Sequence, residues 1–250
     1  MLHQQRWPDG RTRLRFVDLE FATSAPPSDV ILAALTWAPD VEFLALGLSP
    51  GVPRVESLVH TIGYVDFTIP PGGISGEEVR RGTFDWRSYS HRLMVTQGQV
   101  ERLFLQRFAA GYLNGPCFLT SCATKPGQSG GPVLNAQGNA CGIHSSGAST
   151  FFNREVSLGS MFYPCLGHSI RQTTRHGQLT MVSNRTVRDL IARGAIRADE
   201  TIRPLRFVKA QQGLRVDAAV HKEDVCRAHD DFAGFQAGRE FTRGDVQDSN

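Results

Sequence analysis

The chain has 250 residues, of which 40% are hydrophobic and 20% charged; this composition excludes a disordered chain, a coiled coil and a collagen-like repeat. Lys and Arg number 27 against 24 Asp and Glu, so the net charge of +3 gives no basis for nucleic-acid binding. No apolar run reaches the roughly 20 residues of a membrane span. The five cysteines form no CxxC pair, which argues against a disulfide framework and a zinc site.

Short apolar runs rich in Val, Ile, Phe and Leu follow one another closely, which is typical of an all-β barrel or sandwich. The segment from Asn135 to Asn139 lies between two of these runs and predicts a hairpin turn. In chain order the runs are residues 14–21, 30–35, 43–48, 57–64, 93–105, 117–121, 131–134 and 140–144.

One short helix is predicted near residues 184–194, with Ser183 or Asn184 as the N-cap and Gly194 at its end. The last 30 or so residues carry seven acidic and four basic side chains and little apolar content. We therefore expect residues 206–250 to form a polar, loosely held tail.

The most specific stretch is residues 124–134, in which glycines flank Ser129. A serine in such a tight turn presents its hydroxyl clear of neighbouring side chains and suits nucleophilic catalysis. Successive backbone N–H groups converge there on the point where an acyl-transfer oxyanion develops. The amides of Gly127 and Ser129, with Gln128 between them, are the expected oxyanion hole.

The same residues also fit the GxSxG elbow of α/β-hydrolases, in which a helix directly follows the serine. Here Gly130, Gly131 and Pro132 follow, and then a strand, a turn and a strand. Glycines are unfavourable inside a helix, and proline fits only near its start. The elbow interpretation therefore fails on local grounds.

Residues 127–132, followed by residues 135–144, resemble the nucleophile region of the chymotrypsin-like (trypsin-like) serine peptidases, and most of all their bacterial branch, which lacks the disulfides. The resemblance covers roughly residues 9–195 and is strong from about 95 to 147. It implies two β-barrels with the active site between them. We expect residues 1–95 to form the first barrel, and residues 96–205 the second barrel with the helix.

The family order of catalytic residues is His, then Asp, then Ser. Asp29, which opens an Asp-hydrophobic-Ala-Ala-Leu run, resembles the family's orienting carboxylate. The resemblance puts the histidine about 30 to 45 residues earlier, yet the one histidine before Asp29 is His3, in a different sequence context. His60 and His91 follow Asp29 and would break the family order.

A first barrel closes with about six strands, and the strands that precede the histidine in the family have no counterpart here. We therefore expect an incomplete first barrel from a truncated or mis-started chain. A naturally degenerate peptidase and a triad built on His3 are the two alternatives. If the true start lies upstream, a signal peptide could lie there too, so the localisation stays unassigned beyond a cytoplasmic default.

The resemblance also locates a specificity pocket at Thr124, His144, Ser145, Ser146 and Gly147. No aspartate lies at its base, so a preference for Lys or Arg is not expected. The Thr124 and His144 pair is similar to that of glutamyl endopeptidases, and both side chains can donate hydrogen bonds to a carboxylate or amide oxygen. The backbone of residues 145–147 would pair with an extended substrate.

Gln128 stands where many animal members carry the aspartate that pairs with a new N-terminus after zymogen cleavage, and it cannot form that ion pair. The sequence thus predicts a serine endopeptidase that acts on polypeptides, with Glu or Gln before the scissile bond. It predicts no metal or organic cofactor and leaves the oligomeric state open. Because the general base is missing from its expected place, activity is expected to be weak or absent. The alternative is a non-catalytic peptide-binding module.

Overall fold

The computed structural model describes residues 2–6, 12–16, 19–24, 28–35, 45–85, 88–108, 113–148, 154–176, 179–210 and 213–218. Strands dominate these ranges, which confirms the all-β prediction. None of the helices in them is long and apolar enough to span a bilayer. The strands are β1 (Leu2–Arg6), β2 (Thr12–Phe16), β3 (Leu19–Ser24), β4 (Ile31–Leu35), β5 (Leu58–Thr68), β6 (Ser90–Phe104), β7 (Cys117–Thr120), β8 (Pro132–Asn135), β9 (Ala140–Gly147), β10 (Ser157–Met161), β11 (Ser169–His176), β12 (Leu179–Thr186), β13 (Leu205–Ala210) and β14 (Gly213–Ala218). The helices are α1 (Gly76–Arg81) and α2 (Val187–Ala192), with 3₁₀ turns at Tyr163–Gly167 and Glu200–Ile202.

The centre of the described structure is a closed barrel with the strand order β10-β7-β6-β5-β8-β9, and all its neighbours pair antiparallel. Closure leaves no free sheet edge along the paired residues. Upstream of the barrel, β1 pairs with β2 and β3 pairs with β4 as separate two-stranded sheets. Among the described residues, these four strands do not close into a first barrel.

The barrel begins earlier in the chain than the expected boundary at residues 95 and 96. Strand β5 and the first part of β6 lie before that boundary, yet they form the longest pairing of the barrel, from Leu58 opposite Gln99 to Thr68 opposite Ser90. The boundary would cut β6 in two. It was misplaced because strand membership depends on long-range pairing, which an apolar run by itself does not specify.

Two apolar layers lie on opposite faces of β7, and all four residues of that strand are buried. Phe118 points into the main core with Val59, Val100 and Met161. The alternate residues of β7 face a second cluster, which contains Cys117, Leu119, Phe104, Phe108 and Leu158. A strand covered on both faces is expected to be largely apolar, which explains the consecutive apolar residues Cys117, Phe118 and Leu119, while the buried Thr120 hydroxyl is hydrogen-bonded to Ser157.

The predicted hairpin turn between β8 and β9 is present. The Asn135 side chain accepts hydrogen bonds from the amides of Gln137 and Asn139, and Gly138 takes a positive φ of 78°. The helix predicted near 184–194 is also present as α2, but its N-cap is Thr186 rather than Ser183 or Asn184. Thr186 and Asp189 form a capping box, and residues 183 and 184 still belong to β12.

The segment after residue 205 is not wholly a loose tail. Residues 205–218 form the β13–β14 hairpin, and Leu205 and Val216 are buried in the main core. Arg188 of α2 also lies over the Phe207 ring, 4.2 Å from its centroid. In this hairpin, charged residues alternate with apolar ones, as in a strand with one buried face. From the sequence alone, these charges had instead indicated a loose tail. The remainder of the expected tail, residues 219–250, lies outside the described residues.

A clasp of polar contacts connects residues 45–51 with residues 197–203. Leu48 bridges Ala140 on one side and Ala198 on the other. The Thr201 hydroxyl accepts a hydrogen bond from the Gly51 amide at 3.0 Å. The Asp199 carboxylate accepts from the Thr201 amide at 3.0 Å. Segments about 150 positions apart in the sequence thus hold each other at the base of the barrel.

Candidate active site

The loop between β7 and β8 carries Ser129 and reverses the chain twice. The Gln128 amide donates to the Lys125 carbonyl at 3.2 Å, and the Gly131 amide donates to the Gln128 carbonyl at 3.0 Å. Gly127 and Gly130 adopt positive φ angles of 99° and 85°. Such angles are unfavourable for residues with a Cβ, so glycine is required at both positions. Ser129, between the two reversals, is exposed.

The loop is pressed against β5, and two of its glycines leave no room for a side chain. A Cβ at Gly127 would lie 2.6 Å from the Tyr64 carbonyl oxygen, and one at Gly131 would lie 2.0 Å from the Ile62 carbonyl oxygen. Strand β5 in turn has a glycine where the loop contacts it, because a Cβ at Gly63 would lie 2.7 Å from the Gln128 Cα. The backbone of β5 therefore fixes the depth at which the loop sits.

Gln128 is fully buried, although its neighbours in the loop are exposed. Its Oε1 accepts a hydrogen bond from the Lys125 amide at 2.9 Å, and its Nε2 donates to the Met94 carbonyl of β6 at 3.5 Å. The Gln128 amide itself has the Lys125 carbonyl as acceptor in this structure. The expected part of Gln128 in the oxyanion hole stays a prediction.

Within the described part of the chain, the amides of Gly127 and Ser129 donate to no other group, and the Ser129 hydroxyl has no hydrogen-bond partner. The Gly130 amide, in contrast, donates to the His144 carbonyl at 2.8 Å, and the His144 amide donates to the Gly131 carbonyl at 2.8 Å. Of the loop's other amides, Gly130 donates to β9, whereas those of Lys125, Gln128 and Gly131 donate within the loop. Two amides without a partner and one exposed hydroxyl therefore remain in the described loop.

His144 lies in β9 opposite Gly159 of β10 and is 2% exposed. Burial lowers the pKa of its imidazole, and a hydrogen bond to the Leu158 backbone acts in the opposite direction. The buried Nδ1 atom has no partner in the described structure. The net effect of burial is to favour the neutral imidazole. Thr124, the other expected pocket residue, is half-buried at the start of the loop.

The C-terminal end of β9 is paired with a strand on one side, whereas on the other side the strand pairing has ended. On one side Ser146 and Gly147 pair with Leu158 and Ser157 of β10. On the other side the pairing with β8 ends at Ile143 opposite Pro132, and no described strand continues it. The Ser145 hydroxyl is engaged by the Ser160 hydroxyl at 2.8 Å. Ser145 and Ser146 thus offer a strand edge next to the Ser129 loop.

Asp29 immediately precedes β4, as expected, but its side chain is exposed rather than buried. Within the described residues no hydrogen bond or ion pair holds its carboxylate. Its neighbour Val30 is buried against Cys165 and packs near Ile143. Since Ile143 directly precedes His144, the segment that carries Asp29 and the loop that carries Ser129 both lie against β9.

The three histidines considered from the sequence as bases are located as follows. His60 is half-buried in β5 opposite Gln97 and Leu134. His91 is half-buried and packs edge-on against the Tyr64 ring, with 4.4 Å between the ring centroids. His3 lies in β1 opposite Arg15. None of the side chains that the structure describes contacts the Ser129 hydroxyl as a base.

Sequence reasoning missed the fixed position of the Gln128 side chain and the role of Gly63. The signal for Gly63 was present, since an isolated glycine inside a strand commonly marks close approach of another backbone. The signal for Gln128 was absent, because a single polar residue in a glycine-rich loop gives no indication of its burial.

Comparison with known proteins gives one match to a family model, described as the trypsin-like peptidase domain, over residues 8–143. These residues make up more than half of the chain. The sequence matches none of the curated proteins with which it was compared.

Several solved structures are similar to this chain at low identity. The MamO protease domain from Magnetospirillum magneticum is 18% identical over 62% of this chain and 68% of that one, with a TM-score of 0.41. The active form of the Rv3671c protease from M. tuberculosis is 15% identical over 58% of this chain, with a TM-score of 0.40, and the match spans 54% of its length. The HtrA-type protease AlgW with a decapeptide is 16% identical over 87% of this chain and 75% of that one, with a TM-score of 0.38.

Proposed function

This chain belongs to the trypsin-like peptidase domain family, and from that premise we propose that it is a serine endopeptidase acting through an acyl-enzyme on Ser129. One observation carries the proposal: the exposed Ser129 lies in a loop fixed on the barrel, and within the described structure the amides of Gly127 and Ser129 have no acceptor. In this assignment the Ser129 oxygen attacks the peptide carbonyl. The amides of Gly127 and Ser129 then hold the oxygen on which negative charge develops.

The two amides act by electrostatic stabilisation that requires no rearrangement during the reaction. Removing one such donor in a comparable peptidase costs about 10²–10³ in turnover. The loop supplies this pre-organisation here, because contacts with β5 and β9 hold the backbone on both sides of Ser129. Asp29 is the proposed orienting carboxylate, on the strength of its position before β4 and the packing of Val30 near Ile143.

We propose that turnover by these 250 residues is slow. The reason is local: within the described chain, no imidazole accepts the proton of the Ser129 hydroxyl. Loss of the histidine from a serine-peptidase triad costs about 10⁶ in turnover, whereas binding and the oxyanion hole retain about 10³–10⁴ over water. The remaining groups therefore support acylation by a reactive probe far better than turnover of a peptide.

The proposed pocket at Thr124 and His144 favours glutamine over glutamate before the scissile bond near neutral pH. Burial lowers the pKa of His144, and the neutral imidazole that this favours can donate through one ring nitrogen and accept through the other. A glutamine carboxamide can pair with either nitrogen, whereas a glutamate carboxylate can only accept. Binding of glutamate relative to glutamine should therefore strengthen as the pH falls and the ring becomes protonated.

The edge of β9 at Ser145 and Ser146, where the pairing with β8 has ended, supports binding of an extended peptide next to Ser129. Main-chain hydrogen bonds to such an edge provide affinity, and the adjacent pocket selects the side chain. The same edge favours the second candidate function, a peptide-binding module without turnover. The two candidates share the cleft and differ in whether the Ser129 hydroxyl is reactive.

The deciding experiment treats the full chain with a fluorophosphonate probe and locates the adduct by mass spectrometry. We expect slow labelling at Ser129 that disappears in Ser129→Ala. The matched control, Ser169→Ala, removes an exposed hydroxyl elsewhere and should label like the unmodified chain. Binding of a peptide with glutamine at its C-terminus without labelling supports the module instead. Absence of both labelling and binding refutes both functions.

A further inference from the structure

The side chain of Gln128 forms the fixed centre around which the Ser129 loop is folded. It is fully buried and bonded at both ends, to the Lys125 amide through Oε1 and to the Met94 carbonyl through Nε2. The backbone of Gly63 in β5 packs directly against Gln128, because a Cβ at Gly63 would come within 2.9 Å of the Gln128 Cβ. The loop thus surrounds a side chain that packs on β5 and is hydrogen-bonded to β6.

The amide suits this position because it is neutral and has both a donor and an acceptor. The Lys125 amide requires an acceptor and the Met94 carbonyl requires a donor, and only a carboxamide or a protonated carboxyl supplies both at this length. The titratable side chains on the neighbouring elements are Lys125 in the loop, His60, Tyr64 and Asp66 on β5, His91, Arg92, Glu101 and Arg102 on β6, and His144 on β9. In the described structure none of these side chains forms a hydrogen bond with the carboxamide of Gln128.

We infer that Gln128 is a positioning residue: its buried carboxamide holds the loop in the form that presents the Gly127 and Ser129 amides, independently of any newly created chain terminus. The inference rests on the proposed function, because only in a peptidase would the two presented amides serve as an oxyanion hole. The conformation of the loop itself can be measured without any turnover. Since residues 125 and 128 are joined by both the backbone and the side-chain bond, losing the side-chain bond frees the turn that contains Gly127.

The test compares hydrogen exchange in the unmodified full chain, Gln128→Glu and Gln128→Met. Below its raised pKa, a buried glutamic acid replaces both bonds of the amide; above it, the carboxylate repels the Met94 carbonyl. Between about pH 5 and about pH 8, protection of residues 123–131 in Gln128→Glu should fall about tenfold after correction for intrinsic rates, equal to about 1.4 kcal/mol. Gln128→Met lacks both bonds and should be unprotected there at both values.

The matched control is Gln137→Glu, which makes the same change at an exposed position in the β8–β9 turn and should leave the loop unaffected. The inference is overturned if protection of residues 123–131 does not depend on pH in Gln128→Glu, or if protection falls equally throughout the barrel. Should Gln128→Glu not fold, an unaltered loop in Gln128→Met gives the same refutation. Ser129 labelling followed in parallel separates the two claims: a chain that never labels, yet shows the pH-dependent loop, contradicts the proposed function and keeps the inference.

Discussion

The adjacent glycines after Ser129 should respond differently to the same substitution, because the structure gives them different reasons to be glycine. Gly130 has a positive φ of 85° and open space where a Cβ would lie. Gly131 has an ordinary φ, but a Cβ there would lie 2.0 Å from the Ile62 carbonyl oxygen and 2.9 Å from the Gln128 carbonyl oxygen. One position is limited by backbone conformation and the other by space.

The expected costs follow from these two limits. Gly130→Ala retains the left-handed conformation and costs about 1–2 kcal/mol. For Gly131→Ala, non-bonded atoms need about 3.5 Å, so the β5 backbone and the loop must separate by roughly 1.5 Å. Over-packing of this kind costs about 3 kcal/mol or more, since the obstacle is backbone rather than a flexible side chain.

Denaturant unfolding followed by far-UV circular dichroism measures both costs, and Ser129 labelling by the fluorophosphonate probe reports the loop. Gly131→Ala should show the lower midpoint and the larger loss of labelling, because the loop is lifted from β5. The reasoning is refuted if Gly130→Ala is the more destabilised of the two. Equal unfolding midpoints together with unchanged labelling in Gly131→Ala would also refute it, since the loop would then not depend on its seat on β5.

Four further measurements test other parts of the structure. Thr186→Ala removes the α2 cap and should lower stability by about 1 kcal/mol, seen as a reduced Tm; no change would exclude the cap. The bond with Thr186 lowers the pKa of Asp189, so its stabilisation is present above the ordinary carboxyl pKa and is lost as the pH falls through the lowered folded value; Asp189→Asn should lose less stability in acid, and an equal loss would contradict this. Thr201→Val leaves the Gly51 amide without its acceptor and should cost about 1–3 kcal/mol in denaturant unfolding, whereas a neutral result would show that the clasp is not needed. Burial raises the pKa of Cys141 to about 12, so iodoacetamide near pH 8 should alkylate it only on unfolding; rapid alkylation of the native chain would show that the barrel opens readily.

Local chemistry made part of this fold predictable from the sequence. The turn between Asn135 and Asn139 and the loop around Ser129 depend on glycine, proline and asparagine, whose conformational preferences act within a few residues. The alternation of short apolar runs was sufficient to predict the all-β class. The apolar run after Asp29 also predicted a strand there, and β4 begins at Ile31.

The remainder depended on partners distant in the sequence. Nothing in β5 itself shows that it pairs with both β6 and β8, and so belongs to the closed barrel. Thr186 caps α2 because β12 continues to that residue, whereas Ser183 and Asn184 are equally good caps by residue type alone. Burial of the Gln128 side chain follows from Gly63 and Met94, which lie more than 30 positions upstream.

The clasp between residues 45–51 and 197–203 has a consequence for how the barrel can be isolated. A fragment that ended after α2 would retain every barrel strand, yet it would lose Thr201 from beneath Gly51 and the two buried side chains Leu205 and Val216. The hydrophobic surface left bare would favour aggregation during expression. An expressed fragment should therefore retain residues 197–218 together with residues 45–51, and a purification tag belongs beyond residue 218 rather than in place of the hairpin.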